Sequence, residues 1–169
     1  MEERGSTVLI QPAQPQDAAE ILALQKLAYQ SEAAIYGDYS IPPLTQTLDQ
    51  MRADLADQTC LKATMDGRIV GSVRAHLREG TCFVGRLIVH PGHQNRGIGT
   101  RLMDEIERAF PGAARFELFT GHQSERNLCL YHKLGYRPCK QERVSEALTL
   151  VFLEKNQPRR SDPSSLLEE

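Results

Sequence analysis

The sequence predicts a mixed α/β or α+β fold, in which helices cover both faces of one sheet. Three β-type runs fill residues 60–90 and are separated by Asp66-Gly67 and Glu79-Gly80; Asp-Gly is a strong signal for a tight hairpin. Strand and helix patterns then alternate from residue 97 onward. With 169 residues, 40% of them hydrophobic, the chain is long enough for one sizeable core.

The hydrophobic periodicity gives the order of elements along the chain. Strands are expected wherever short apolar or alternating runs occur, and helices wherever apolar residues recur at three- and four-residue spacing. The expected elements are a strand at 7–13, a helix at 15–29, a loop or broken helix at 31–44, a helix at 45–57, three strands within 60–90, a helix at 97–110, a strand at 114–120, a helix at 124–134, and two strands at 136–144 and 147–155.

Composition excludes several classes of protein. A formal net charge of −2 and a pI near 6.2 give no basic field of the kind that nucleic-acid binders carry. No run approaches the roughly 18 apolar residues that a membrane span needs, and "MEERGSTVLI" lacks the apolar stretch of a secretory signal. We therefore expect a cytoplasmic protein with one domain over 1–155, and a tail over 156–169 whose Pro, Ser and charge content predicts disorder.

The cysteines indicate the same compartment. They form no CxxC pair, which argues against a disulfide framework or a zinc site and favours free thiols. No metal is expected. The four are Cys60, Cys82, Cys129 and Cys139.

The stretch "HQNRGIGTRLMDEIERAF" (93–110) predicts an anion site. Its apolar stripe begins a helix near Gly97, and two glycines in a first turn suggest that a ligand approaches the backbone closely, since glycine costs about 0.5–1 kcal/mol in a helix. First-turn amides and the helix dipole favour a phosphate or pyrophosphate there. The stretch is neither a P-loop nor a dinucleotide fingerprint, because GxxxxGK is absent and Leu102 replaces the third glycine. A simple packing role for Gly97 and Gly99 stays open.

The segment "LIVHPGHQNRGIGTRLM" resembles motif A of the GNAT superfamily of acetyl-CoA-dependent acyltransferases, with Gln94, Gly97 and Gly99 at the signature positions. The segment "LCLYHKLGYRP" resembles a later helix of that family and its Leu-Tyr-x-x-x-Gly-Phe/Tyr ending. The resemblance implies a mostly antiparallel sheet of about seven strands, with helices on both faces and splayed fourth and fifth strands. It also implies acetyl-CoA as cosubstrate.

The resemblance assigns roles to the matching positions. The amides around the glycine turn are expected to hold the coenzyme A pyrophosphate, the preceding strand to pair with the pantetheine arm, and an amide near Val89 to polarise the thioester carbonyl. Tyr131 is the expected proton donor to the departing thiolate, and a surface tyrosine is the alternative. Ser124 stands where many members have an asparagine, so either it or Asn127 is expected to contact the cofactor. The expected cofactor-binding residues are Leu87, Ile88, Val89, Gln94, Asn95, Arg96, Gly97, Ile98, Gly99, Thr100, Ser124 and Asn127.

A general base is harder to predict. Glu117 is the first candidate, because strand alternation places it on the same face as Phe119. His122, just past that strand, is the second, because imidazole titrates near neutral pH. The alternatives are an exposed edge glutamate and a solvated loop histidine.

The least regular segment, "YQSEAAIYGDYSIPPL", predicts the acceptor site. Tyr29, Glu32 and Tyr36, with Asp38 and Tyr39, form an acidic and aromatic cluster suited to a cationic amine. Anchoring of the loop to the core is the alternative. We thus expect an N-acetyltransferase, a monomer or homodimer, in which a primary amine attacks acetyl-CoA directly in a ternary complex. A coenzyme A-binding sensor without turnover and a subunit that acts only within a complex are the competing hypotheses.

Overall fold

The computed structural model describes residues 7–157. Seven strands form one sheet, and all neighbouring strands in it are antiparallel except the fourth and fifth. The strands are β1 Leu9–Pro12, β2 Thr59–Met65, β3 Arg68–Arg78, β4 Thr81–Val89, β5 Arg115–Gly121, β6 Arg137–Arg143 and β7 Thr149–Asn156, in the order β1-β2-β3-β4-β5-β7-β6. The predicted fold class is confirmed. Residues 158–169 of the predicted tail lie outside the described residues, and the domain limit at residue 155 stays a prediction.

Six α-helices accompany the sheet within the described part of the chain: α1 Ala18–Ala28, α2 Gln30–Tyr36, α3 Pro42–Thr45, α4 Leu48–Asp57, α5 Ile98–Arg108 and α6 Glu125–Lys133. The segment predicted as a loop or broken helix is a broken helix. The helix expected from residue 45 begins at Leu48, because the Thr47 side chain accepts a hydrogen bond from the Gln50 amide at 3.2 Å and caps it. None of the helices within 7–157 has the length and apolar content needed to span a membrane.

Both predicted hairpin turns are present. Asp66 and Gly67 adopt φ of 52° and 76°, and Glu79 and Gly80 adopt 50° and 82°. Two successive positive φ angles match the right-handed twist of the flanking strands. The meander β2-β3-β4 is therefore confirmed, and it places β4 at the centre of the sheet.

The helices cover both faces of the sheet. Ile69 and Val70, adjacent on β3 and so pointing to opposite faces, belong to two different buried clusters. The larger cluster contains the apolar stripe of α5, and the smaller one contains the inner faces of α1 and α4. The stripe predicted for α5 is confirmed, since Ile98, Leu102, Met103 and Ile106 are all buried.

The sheet opens between β4 and β5. These strands pair over only three positions, Thr81 with Arg115, Cys82 with Phe116 and Phe83 with Glu117. β4 continues to Val89 and β5 to Gly121, and no pairing between them is found there among the described residues. The predicted splay is confirmed, and it leaves backbone N–H and C=O groups of β4 available to a ligand on that side.

Candidate functional site

A cavity of about 830 Å³ occupies the gap where β4 and β5 part, a size typical of small-molecule sites. Its α5 side consists of the end of β4, the turn into α5 and the neighbouring face of α6. Its α2 side consists of the α1–α2 segment, the middle of β4 and residues of the β6–β7 hairpin, among them Tyr29, Glu32, Tyr36, Arg86, Val144 and Leu148.

The α5 side is built mainly from backbone. Asn95 and Gly97 adopt φ of 63° and 78°, and Gly97 is the N-cap residue of α5. At Gly99 a Cβ would lie 3.7 Å from both Val89 Cγ2 and Leu130 Cδ2, in the groove between the β4 end and α6. The bare glycine thus keeps this groove open toward the first-turn amides, which carry the positive end of the helix dipole.

Most of the predicted cofactor-binding residues line this cavity, and two do not. Arg96 and Ser124 lie outside its lining. The residues that do line it are Leu87, Ile88, Val89, Gln94, Asn95, Gly97, Ile98, Gly99, Thr100 and Asn127.

Arg126 is a lining residue that the sequence analysis missed. Its guanidinium donates to Gln94 Oε1 through Nη1 and to Asn95 Oδ1 through Nη2, the latter at 3.0 Å. Arg126 therefore ties the first turn of α6 to the turn before α5 and adds a cation beside the helix terminus. The sequence does place an arginine in the first turn of the helix that carries Tyr131. Its contact with the turn before α5 could not be predicted, because that contact depends on tertiary structure.

Tyr131 lies where the two sides of the cavity meet. Leu130, its neighbour on α6, borders the Gly99 groove, and the Tyr131 side chain lines the cavity with only 6% of its surface exposed. Burial raises the pKa of Tyr131 well above the usual value for a phenol, and the nearby Tyr29 and Glu32 raise it further. Tyr131 is therefore a protonated, buried phenol beside the opening of the sheet, able to donate a proton.

Two polar contacts fasten α2 to the turn between β5 and α6. Ser124 Oγ donates to Glu32 Oε1 at 2.6 Å, and the Gln123 amide donates to the Tyr36 hydroxyl at 3.0 Å. Gly121 is required for this packing, since a Cβ there would lie 2.0 Å from the Tyr36 hydroxyl oxygen. Tyr36 therefore both anchors its segment to the core and lines the cavity.

These contacts bear on the role of Ser124, whose contact with the cofactor stays a prediction. Its side chain is 2% exposed and makes no cap hydrogen bond to α6, although Ser124 occupies the N-cap position. It binds Glu32 instead, and so belongs to the α2 side. Asn127 lies on the cavity wall and donates to Thr120 Oγ1 at 3.2 Å, joining α6 to β5.

The structure does not bring Glu117 to the cavity. Glu117 pairs in register with Phe83, in the closed part of the sheet, and is not a lining residue. Arg115 Nη2 lies 3.0 Å from Glu117 Oε1 and also contacts Glu154 Oε2 at 2.7 Å. The prediction that Glu117 is the base gains no support, because its carboxylate is held by a guanidinium away from the opening.

The other predicted polar residues are also absent from the cavity lining. His122 is exposed, and its Nδ1 accepts a hydrogen bond from the Thr149 amide at 3.0 Å. Asp38 is exposed and accepts from Ser40, and Tyr39 is 59% exposed. Glu32 is thus the carboxylate that lines the cavity within residues 7–157.

The cysteines agree with the expectation of free thiols, and Cys129 borders the cavity. Burial raises the pKa of the Cys82 thiol to about 12, so Cys82 is an unreactive core residue. Within 7–157, no group of three or more His, Cys, Asp or Glu side chains is arranged to hold a metal ion.

Comparison with known proteins gives a family for this architecture. The sequence model of the acetyltransferase (GNAT) domain matches residues 56–138, which include β4, the glycine turn and α6. Among curated proteins, the mycothiol acetyltransferase of Amycolatopsis mediterranei is 36% identical across 43% of this chain and 29% of its own length. The UPF0157 protein YqkA of Bacillus subtilis is 26% identical across 79% of this chain and 38% of its own length.

Solved structures show the same fold at low sequence identity. The PaiA N-acetyltransferase of Thermoplasma acidophilum, in complex with coenzyme A, superposes with a TM-score of 0.76 at 17% identity, over 89% of this chain and 99% of that one. YncA of Salmonella typhimurium, a putative acetyltransferase solved with its cofactor acetyl-CoA, superposes with a TM-score of 0.70 at 22% identity, over 94% of this chain and 98% of that one. The chain spans well under half the length of the two curated relatives, 38% and 29%.

Proposed function

Because the chain belongs to the GNAT superfamily of acetyltransferases, we propose that it transfers an acetyl group from acetyl-CoA to a primary amine by direct attack in a ternary complex. The observation that carries this proposal is the opened sheet itself. A glycine-lined helix terminus, a stretch of β4 that is not paired with β5, and a buried tyrosine border one cavity. Each of these features has a separate task in the transfer.

The α5 side suits the coenzyme. Its amides between Gln94 and Thr100, with the Arg126 guanidinium beside them, offer donors to a pyrophosphate. The groove that a Cβ at Gly99 would fill leaves room for a chain passing from those amides to β4. The backbone of Leu87, Ile88 and Val89, open on the β5 side, supplies hydrogen-bonding groups for the pantetheine amides and for the acetyl carbonyl.

Acetyl-CoA supplies an acetyl thioester, whose sulfur leaves as a thiolate when an amine attacks. Tyr131 donates a proton to that sulfur. Its burial keeps the phenol protonated at alkaline pH, where most free phenols have ionised. General acid catalysis of this kind contributes about 10²- to 10⁴-fold to a rate.

Glu32 acts on the acceptor. It lines the α2 side, and the Ser124 hydroxyl fixes one of its carboxylate oxygens, which leaves the other oxygen for the substrate. A carboxylate in this position attracts a cationic ammonium group and accepts a proton from it, directly or through water. Glu32 thereby replaces Glu117 as the proposed acidic partner of the amine.

The test is release of free coenzyme A thiol from acetyl-CoA with a panel of amino acids, polyamines, aminoglycosides, arylamines and peptides. We expect turnover that requires one class of amine and falls roughly 100-fold or more in Tyr131→Phe, because phenylalanine keeps the ring and loses the proton donor. Coenzyme affinity, measured by calorimetry, stays the same in that variant.

His132→Phe is the matched control, since His132 is an exposed neighbour on α6 outside the cavity lining. Tight coenzyme binding with no turnover on any amine would reject the enzyme in favour of the coenzyme A sensor. Turnover that is insensitive to Tyr131→Phe would retain the enzyme and remove Tyr131 as the acid.

A further inference from the structure

Arg86 lies on the α2 side at an irregular point of β4. The register between β3 and β4 shifts here, so that Arg86 and Leu87 together oppose Val73. This is a β-bulge, a feature that redirects a side chain out of the regular alternation of a strand. Arg86 adopts φ of 51°, a left-handed conformation that costs an ordinary residue on the order of 1 kcal/mol or more.

The bulge directs the Arg86 guanidinium into the cavity, where no carboxylate of the described residues pairs with it. Arg86 lines the cavity, and its guanidinium carbon lies 5.9 Å from the centre of the Tyr29 ring. Arg86 forms no ion pair with any of the carboxylates between residues 7 and 157. Arg74, which is also a lining residue, differs in this respect. It is buried, and its charge is balanced by Asp54, whose Oδ2 lies 2.9 Å from Arg74 Nη2.

A carboxylate and a cation therefore share the α2 side. Burial raises the pKa of Tyr29, while Arg86 opposes that rise and Glu32 adds to it, as expected when both charges lie near the same ring. Glu32 and Arg86 are not paired with each other among the described contacts. A partly buried guanidinium left without a counterion favours binding of an external oxyanion, for which its planar fork is suited.

We propose that the acceptor amine also carries an oxyanion, a carboxylate or a phosphate, which Arg86 binds while Glu32 holds the amino group. This rests on the proposed acetyl transfer and narrows its substrate to amino acids, short peptides and amino phosphates. Polyamines and aminoglycosides, which carry amines without an oxyanion, are excluded. Val144, Leu148 and Leu150, which line the same cavity, favour an acceptor with an apolar body.

The experiment compares matched acceptors that differ in the oxyanion. Phenylalanine is paired with phenethylamine, leucine with isopentylamine, and phosphoethanolamine with ethanolamine, in wild type and in Arg86→Asn. Asparagine removes the charge and tolerates positive φ better than most residues, so the variant keeps the bulge. Arg78→Asn is the control, since Arg78 is exposed at the end of β3 and outside the cavity lining.

In wild type we expect kcat/KM to favour at least one oxyanion-bearing member by roughly tenfold or more, the usual effect of a charge-assisted hydrogen bond. Arg86→Asn removes that preference, because it lowers kcat/KM for the oxyanion-bearing member of a pair roughly tenfold more than for the oxyanion-free member, and Arg78→Asn retains the preference. The carboxylate and phosphate pairs tell which oxyanion is bound. Equal rates within every pair, or a preference that survives in Arg86→Asn, would overturn the proposal.

A binding measurement separates this proposal from the proposed function. Calorimetry with protein saturated by coenzyme A measures acceptor binding without any transfer. Oxyanion-dependent binding that is lost in Arg86→Asn supports the assignment of Arg86 even if no acceptor turns over, an outcome that would reject acetyl transfer alone. Absence of oxyanion-dependent binding together with turnover of plain amines would reject the role of Arg86 alone.

Discussion

The two sides of the cavity are built in different ways. The α5 side uses mainly one segment of the chain, from Leu87 to Thr100, together with the neighbouring face of α6. Most of its binding groups are backbone amides, exposed by a glycine turn and by the edge of β4 that is not paired with β5. The α2 side uses side chains from separate elements, among them Glu32 of α2, Arg86 of the β4 bulge and Val144 beside β6. A backbone site is insensitive to most side-chain changes, whereas a side-chain site can be altered one residue at a time. The α5 side is therefore suited to a constant cosubstrate and the α2 side to a selected acceptor.

The largest effect is expected from a side chain placed where the α5 side has only backbone. Gly99→Leu places a side chain in the groove against Val89 and Leu130, where a Cβ alone already makes van der Waals contact. We expect coenzyme A affinity to fall about 10- to 100-fold, because leucine occupies groove space that the coenzyme would take, and such overfilling in the complex costs about 1–3 kcal/mol. Calorimetric titration measures the affinity.

The thermal midpoint should not fall in Gly99→Leu, because leucine is a better helix former than glycine by roughly 0.8 kcal/mol. Gly112→Leu is the control, since nothing lies within 4 Å of a Cβ at that position. An unchanged affinity for coenzyme A in Gly99→Leu would show that the bare backbone serves packing rather than binding.

The second prediction compares Glu32, a carboxylate that lines the cavity, with Glu117, a carboxylate in the closed part of the sheet. Glu32→Gln should lower kcat/KM for the amine roughly tenfold or more and leave coenzyme affinity unchanged, because it removes the charge that faces the acceptor. Glu117→Gln should leave the amine kinetics unchanged and lower stability, because it weakens the contact with Arg115. Steady-state kinetics and thermal unfolding of both variants provide the measurement.

The same pair of variants tests the sequence-based assignment of the base. If Glu117→Gln lowers the rate at neutral pH more than at high pH while Glu32→Gln does not, Glu117 is the base and the proposed role of Glu32 is wrong. A loss confined to Glu32→Gln assigns the amine to the α2 side.

The difference between the two sides also explains what the sequence could predict. The hairpins and the start of α5 depend on local chemistry, such as the positive φ of Asp66-Gly67 and the glycine turn before α5, and these structural predictions were confirmed. The cofactor-binding role of the α5 side stays a prediction. Arg86 could not be found from local chemistry, because the bulge that redirects it arises from the register between β3 and β4. Glu117 illustrates the same limit: alternation gives the face of a strand, but only the pairing with Phe83 tells that Glu117 lies in the closed part of the sheet.

The smallest expected effect separates the two residues near the start of α6. Asn127 faces the cavity and holds Thr120, whereas Ser124 is turned away from it and holds Glu32. Asn127→Ala should therefore weaken coenzyme A binding several-fold with little change in acceptor KM, since one neutral hydrogen bond contributes about 1 kcal/mol. Ser124→Ala should raise the acceptor KM with little change in coenzyme A binding, because it frees Glu32 and leaves the α5 side intact. Calorimetry with coenzyme A and acceptor titrations at saturating acetyl-CoA measure the two effects, and the double variant should show their sum because the residues contact different groups. If Ser124→Ala instead weakens coenzyme binding, the division between the α5 and α2 sides does not hold at α6, and the serine has retained the cofactor contact that the family resemblance implies for its position.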